Sequence, residues 1–407
     1  MSGENPLEPL EPRALGARLR EAREGRGWTQ QQLSDQLGVA RTTIVAVEKG
    51  ERRVKPKELM AIATLLGTSV SDLLQRTGAT EGEGLAAQLR GSLPPSTDEE
   101  SLAPCIDELQ RLGEDYVRLE ELCQAPLRRR YPAEYDIQGT DPEMAAEDVA
   151  SSERRRLDLG EGPLVNLREA LEADVGLRVF QVEMPPKVTG MLVFAEPMGA
   201  CMVVNLNHTA ERRRASMAHE LAHFLTARHR PEITLEGRYE RRPAGERFAE
   251  AFARSFLMPA AGLRRRYLEL ERERSQGLTL GDVCRLAHFY VVSMEAMTRR
   301  LEELRLIPSG TFDRLRHEGF RVREAQQFLG LEPVHDDNER FSARYIALAV
   351  EAWQKEQLSE GQLARFLRTD RLGARERIQR LEAASFEDSN QGELVNLAMP
   401  FLRSAGR

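Results

Sequence analysis

The sequence predicts an α+β chain that is mainly α, with an all-helical N-terminal domain, a central domain holding a small sheet, and a helical C-terminal region. Three observations carry that expectation. Strand-like apolar runs are confined to the middle of the chain, at 177–182, 190–194 and 200–206. On either side of them apolar residues recur at three and four positions, the helical period. Just after the last run comes His219-Glu220-Leu221-Ala222-His223, inside a stretch (215–226) with neither proline nor glycine. At 407 residues, 41% of them hydrophobic, the chain has room for two or three domains with real cores.

In the N-terminal domain, residues 15–24 form one helical period that Gly25 and Gly27 break. Thr29 stands where a helix N-cap belongs, and Gln32 completes a capping box. Gly38 ends that helix, 39–48 starts the next, and 59–66 and 71–74 close a small helical core. Helix, short glycine turn and helix are the grammar of helix-turn-helix DNA binding. The chain as a whole is acidic, with formal charge −7, which argues against wholesale coating of nucleic acid. Between Arg13 and Arg76, however, bases outnumber acids, and a local basic surface on an acidic protein signals a partner.

The pattern Thr29-Gln30, Leu33, Leu37-Gly38-Val39, Ile44, Glu48 and Gly50 resembles the Xre/phage-repressor family across 14–76. That resemblance implies a homodimer on double-stranded operator DNA, with the second motif helix entering the major groove. Arg41, Thr42 and Ala46 would then face base edges, Gln30 and Thr43 would match phosphate contacts, and Arg52, Arg53 and Lys55 would lie along the backbone. Arg23 and Glu48 match a buried ion pair that ties the first helix to the recognition helix.

In the central domain, histidines four apart on a helix share a face, so His219 and His223 can reach one metal ion. Glu220 follows the first histidine and can act as general base beside that ion. Zinc in a hydrolase takes three protein ligands and keeps a fourth position open. Cys105, Cys123, Cys201 and Cys284 are all remote from the motif, so the third ligand is expected to be a carboxylate or histidine. Segment 245–259 is an amphipathic helix with Phe248, Phe252 and Phe256 on its apolar face. Glu246 and Glu250 share its other face. Glu246 is the expected ligand, and Glu250 is expected to hydrogen-bond a ligand histidine.

His-Glu-Leu-Ala-His, followed by Glu246-x-x-Ala249-x-x-Phe252-Ala253-x-x-Phe256-Leu257-Met258-Pro259, resembles the ImmA/IrrE zinc metallopeptidases from about Glu153 to Pro308. Residues 202–207 and Arg212-Arg213-Arg214 fit that family's approach to the metal helix. The resemblance implies a minimal gluzincin-like fold, a Zn2+ cofactor, Glu246 as third ligand, and a helix-turn-helix repressor as substrate. One departure is Glu250, where the family often carries Asn or Asp. Tyr239, His229 and His208 are candidates for stabilising the oxyanion. A substrate peptide is expected to pair with an exposed edge of the strand at 200–206.

The boundaries expected from these readings are 14–76 for the helix-turn-helix domain, 77–104 for a linker and 105–143 for a helical connector. The peptidase follows at 144–308, and 309–407 is a helical C-terminal domain. Gly- and Pro-rich 77–84 and 91–100 read as linker, with a short helix at 85–90; further helices are expected at 106–122, 144–157 and 165–172. Residues 278–301 and 358–381 repeat the cap, helix, turn and helix of 29–48. The first looks like the scaffold that accompanies the ImmA/IrrE peptidase and the second a sensor of nucleic acid or a partner, while a helical bundle with no direct ligand is the favoured expectation for both. Unpaired-looking cysteines and a polar start without an apolar core point to a cytoplasmic protein with no membrane partner. The reading is a DNA-binding regulator with zinc endopeptidase activity, cleaving a regulator or itself in a stress or phage response. Two alternatives stay open: a transcription factor whose zinc site senses or stabilises without cutting, and an antitoxin-like regulator of a neighbouring toxin.

Overall fold

The computed structural model describes residues 15–16, 19–20, 22–23, 28–52, 54–66, 85–91, 99–196, 198–235, 243–273, 278–332 and 339–379. Arg53, Tyr239, the helix expected at 71–74 and the linker expected at 77–84 lie outside them. By contacts the chain divides into two compact units, 1–81 and 82–407.

In the first unit, residues 15–16, 19–20 and 22–23 are helical (α1), followed by α2 (Gln30–Leu37), α3 (Arg41–Glu48) and α4 (Pro56–Leu66). Thr29 caps α2 as expected: its hydroxyl accepts from Gln32 N at 3.2 Å, and Thr29 N donates to Gln32 Oε1 at 2.7 Å. Gly38 takes φ +66°, and its amide and that of Val39 return to Asp35 and Ser34 carbonyls, which turns the chain sharply into α3. Leu19, Leu33, Ile44, Val47, Ile62 and Leu66 form the core. The Arg23–Glu48 pair is present and buried, at 2.6 Å and 3.1 Å through the two carboxylate oxygens.

The second unit opens with α5 (Leu85–Gly91) and α6 (Glu99–Cys123), then α7 (Pro142–Arg156) and α8 (Leu167–Ala170), which runs into a π-helical turn at 171–175. α6 starts at Glu99, inside the segment expected as linker, because Leu102, Ile106 and Leu109 continue one apolar stripe into a core. Pro104 lies within it, near the helix start and exposed. The sheet consists of β1 (Arg178–Val182), β2 (Val188–Ala195), β3 (Gly199–Asn205) and β4 (Glu232–Leu235), in the order β1-β3-β2-β4. β1 and β3 are parallel, with Phe180 opposite Val203. β2 is antiparallel to both neighbours, with Val193 opposite Cys201 and Met191 opposite Ile233.

β3 is therefore interior. This corrects the expectation that 200–206 offers a free edge: β3 pairs on both sides, with β1 and β2, and is an apolar run buried on both faces. The sheet edges are β1 and β4. Arg168 donates to Val179, Glu339 and Arg340 carbonyls, and Gln181 N donates to Arg340 O at 3.0 Å, so the C-terminal region covers β1. Among the described residues β4 pairs only with β2.

After β3 come α9 (Ala210–Ala227), then, beyond β4, α10 (Ala244–Leu257), α11 (Ala260–Glu273), α12 (Leu280–Tyr290) and α13 (Met294–Glu303). α14 (Thr311–His317), α15 (Val322–Phe328), α16 (Ala343–Gln354) and α17 (Glu360–Phe366) follow, and 371–379 is helical (α18). Two cores lie on the two faces of the sheet. Leu192, Met202 and Val204 point toward α9, α10, α12 and α13, while Met191, Val193 and Val203 point toward α6 and α16–α18. The capping boxes expected for the two recurrences are present at Thr279 and Ser359, and both helix pairs bury their apolar faces in these cores. All four cysteines are free thiols.

Candidate functional site

α9 is fixed to the sheet at its entry. Buried Asn205, at the end of β3, donates to Met184, Pro185 and Val188 carbonyls and accepts from Met184 N and Asn207 N. Arg213, also buried, donates to the carbonyls of Leu206 (2.9 Å) and His208 (2.6 Å) and locks the loop to the first turns of α9. α10 packs beside it through Phe248, Phe252 and Phe256, whose rings stack at 6.0 and 5.2 Å. Arg154 on α7 donates to Phe256 O, and Arg300 on α13 to Met258 O. These contacts hold two helices from separate parts of the sequence face to face.

They bring His219, His223 and Glu246 together. The two Nε2 atoms are 3.0 Å apart, and Glu246 oxygens lie 3.6 Å from His219 Nε2 and 3.5 Å from His223 Nε2. A tetrahedral zinc with bonds of about 2.0–2.1 Å needs ligand atoms about 3.3 Å apart, so this donor set fits. Burial lowers the His223 pKa to about 4, which keeps its ring neutral with a lone pair to give. Among the described residues this is the one group of three or more such side chains placed to hold a metal ion.

Glu220 is fully buried on α9, next to the histidines but outside their cluster. Burial raises its pKa to about 8; the Thr234 hydroxyl lowers it, while Glu232 and Glu246 add to the rise. Its carboxylate rests on Gly190 of β2, where a Cβ would stand 2.5 Å from Oε1. Only glycine leaves that room. Sequence reading missed Gly190, and also Thr234 on β4.

The cluster opens into a cleft of about 1160 Å³ bounded by α9, α10, β2, β4 and the start of α13. Glu250 lines it one turn beyond Glu246. His208 and His229 do not: His208 Nε2 is 3.0 Å from Pro186 O, and His229 packs edge-on against Phe194 at 4.9 Å. In the first unit Arg41 and Thr42 are exposed at the start of α3, while Thr43 and Ala46 are half-buried. Gln30 Nε2 donates to Glu48 at 2.9 Å. Arg52 pairs with Glu58 at 2.8 Å.

Residues 172–302 match the peptidase family model described as the IrrE N-terminal-like domain, and 19–73 match a helix-turn-helix model. The chain joins a helix-turn-helix domain to an IrrE N-terminal-like domain. The IrrE-like match spans the sheet, α9, α10 and α13, and so contains His219, Glu220, His223 and Glu246. No curated protein matches the chain. Among solved structures it aligns with Bacillus thuringiensis PlcR in complex with the peptide PapR7 and DNA, at 12% identity over 94% of this chain and 99% of that one, TM-score 0.18. It also aligns with ComR from Streptococcus suis, at 13% identity over 95% and 92%, TM-score 0.16. Likenesses this slight carry nothing about fold or function. No helix among the described residues is long and apolar enough to cross a membrane.

Proposed function

We propose that the chain is a cytoplasmic, DNA-binding transcriptional regulator whose IrrE-like domain is a zinc-dependent endopeptidase of the gluzincin type. The observation that carries this reading is the convergence of His219, His223 and Glu246 beside buried Glu220 at the floor of an open cleft. His219, His223 and Glu246 hold the ion, and Glu250 supports them from the next turn of α10. Bound zinc supplies Lewis-acid activation of water and of the scissile carbonyl. Glu220 takes the proton from the attacking water and delivers it to the departing amide nitrogen. An extended substrate pairs with β4, the sheet edge at the cleft.

The substrate is a helix-turn-helix regulator or the chain's own first unit, and its cleavage switches stress or phage-response genes. An intact general base favours cutting over a purely structural metal site. The test compares cells expressing wild type or Glu220→Gln by mass spectrometry for cleaved helix-turn-helix proteins. Fragments confined to wild type support the reading; identical fragment patterns contradict it.

The first unit binds operator DNA as a homodimer, with α3 in the major groove. Arg41, Thr42 and Ala46 face base edges, Gln30 and Thr43 meet phosphates, and Arg52, Arg53 and Lys55 contact the backbone. Arg41→Ala is expected to cost about 1–3 kcal/mol on the preferred site and much less on random duplex. Fluorescence anisotropy on both DNAs checks this, and equal losses make Arg41 a phosphate contact.

A further inference from the structure

Two neighbouring side chains in the second unit bury polar groups without a hydrogen bond among the described residues. They are Glu220, through both carboxylate oxygens, and Thr234, through its hydroxyl. Strand geometry aims one at the other. Gly190 and Thr234 are opposite partners in the β2–β4 ladder, so their Cα–Cβ directions share a face of the sheet. That face is the one on which the Glu220 carboxylate rests, since a Cβ at Gly190 would meet Oε1 at 2.5 Å. Alternation along β4 agrees: Ile233 turns into the core on the α6 side, so Thr234 turns toward α9. The ladder slips at Val188 and Gly190, and the Thr189 hydroxyl donates to Thr234 O at 3.1 Å, fixing β4 at that irregularity.

We propose that Thr234 is the positioning residue for Glu220, its hydroxyl donating to one carboxylate oxygen so that the other faces the reacting water. The chemistry suits one donor and one only. A general base must keep an oxygen free, and a carboxylate fixed by a single hydroxyl keeps its rotamer without losing that oxygen. A buried hydroxyl and a buried carboxylate also each need a partner, and the Thr234 hydroxyl is close enough to hold the Glu220 carboxyl down against its burial. The inference rests on the peptidase reading of Glu220 for its catalytic consequence, but the contact itself does not.

The test is a double-mutant cycle in thermal unfolding of the full-length chain, with Thr234→Val, Glu220→Met and the pair together. Valine keeps the shape of threonine and removes the donor. Thr234→Val is expected to lower Tm by about 2–4 °C alone, and by nothing measurable when Glu220 is already methionine. Thr234→Ser is expected to melt as wild type does. Equal shifts in both backgrounds, or a rise in Tm when Glu220 is intact, overturn the contact. With zinc loaded and dye-labelled casein as probe, Thr234→Val is expected to lower kcat roughly ten- to a hundredfold, with KM and zinc content unchanged and Thr234→Ser rescuing. An inactive Glu220→Gln beside a Thr234→Val of wild-type kcat overturns positioning and leaves the peptidase reading standing. A Glu220→Gln that cleaves casein at the wild-type rate overturns that reading, and the melting cycle then decides the contact alone.

Discussion

Glu220→Gln is expected to lower peptide cleavage by about 10²–10⁴-fold, the usual worth of a positioned general base. Glutamine has nearly the same volume, so it fits the space that Gly190 leaves, but its amide cannot accept the proton of water. Zinc content should stay at the wild-type level, because Glu220 stands outside the His219–His223–Glu246 cluster. Operator affinity should stay as well, since the residues proposed to contact DNA belong to the other compact unit. In a promoter-reporter assay the variant should therefore bind and fail to derepress. Full derepression by Glu220→Gln under the inducing condition means that proteolysis is not the switch, and the zinc-sensor alternative takes its place.

Glu48→Ala is expected to destabilise the first unit by about 3–5 kcal/mol, the cost of breaking a buried ion pair on one side. Arg23 donates to both Glu48 oxygens and Gln30 adds a third bond at 2.9 Å, with Arg23 and Glu48 6% and 8% exposed. Removing the carboxylate takes from buried Arg23 both of its bonds to Glu48 and leaves its bond to Trp28 O. That loss consumes much of the stability a unit this small can have. Native-state hydrogen exchange across α2 and α3 should accelerate strongly, and DNA binding should weaken with it. Unchanged protection in Glu48→Ala would mean that the pair is replaced by water at little cost.

The local parts of the molecule were legible in the sequence because their causes are local. His219 and His223 belong to one helix four residues apart, and Thr29, Thr279 and Ser359 announce their helices through partners three residues on. Glu246 was legible because Phe248, Phe252 and Phe256 set the phase of α10 and so the face its carboxylates share. What strand pairing creates was not. Thr234 comes opposite Gly190, on the face where Glu220 rests, only because β4 lies against β2, and β4 has four residues, too few for a period to show. The interior place of β3 depends on β1 running parallel to it, which no turn signal encodes. The start of α6 was hidden by the Pro104 and Pro94-Pro95 signals, although Leu102 already continues its apolar stripe.

Metal analysis of the purified full-length chain tests the proposed centre most directly. Wild type should carry one zinc per chain, Glu250→Ala most of it, and Glu246→Ala close to none, because two imidazoles without the carboxylate cannot complete the three-ligand set. Full zinc in Glu246→Ala, or zinc lost from Glu250→Ala in its place, would contradict the ligand set of His219, His223 and Glu246.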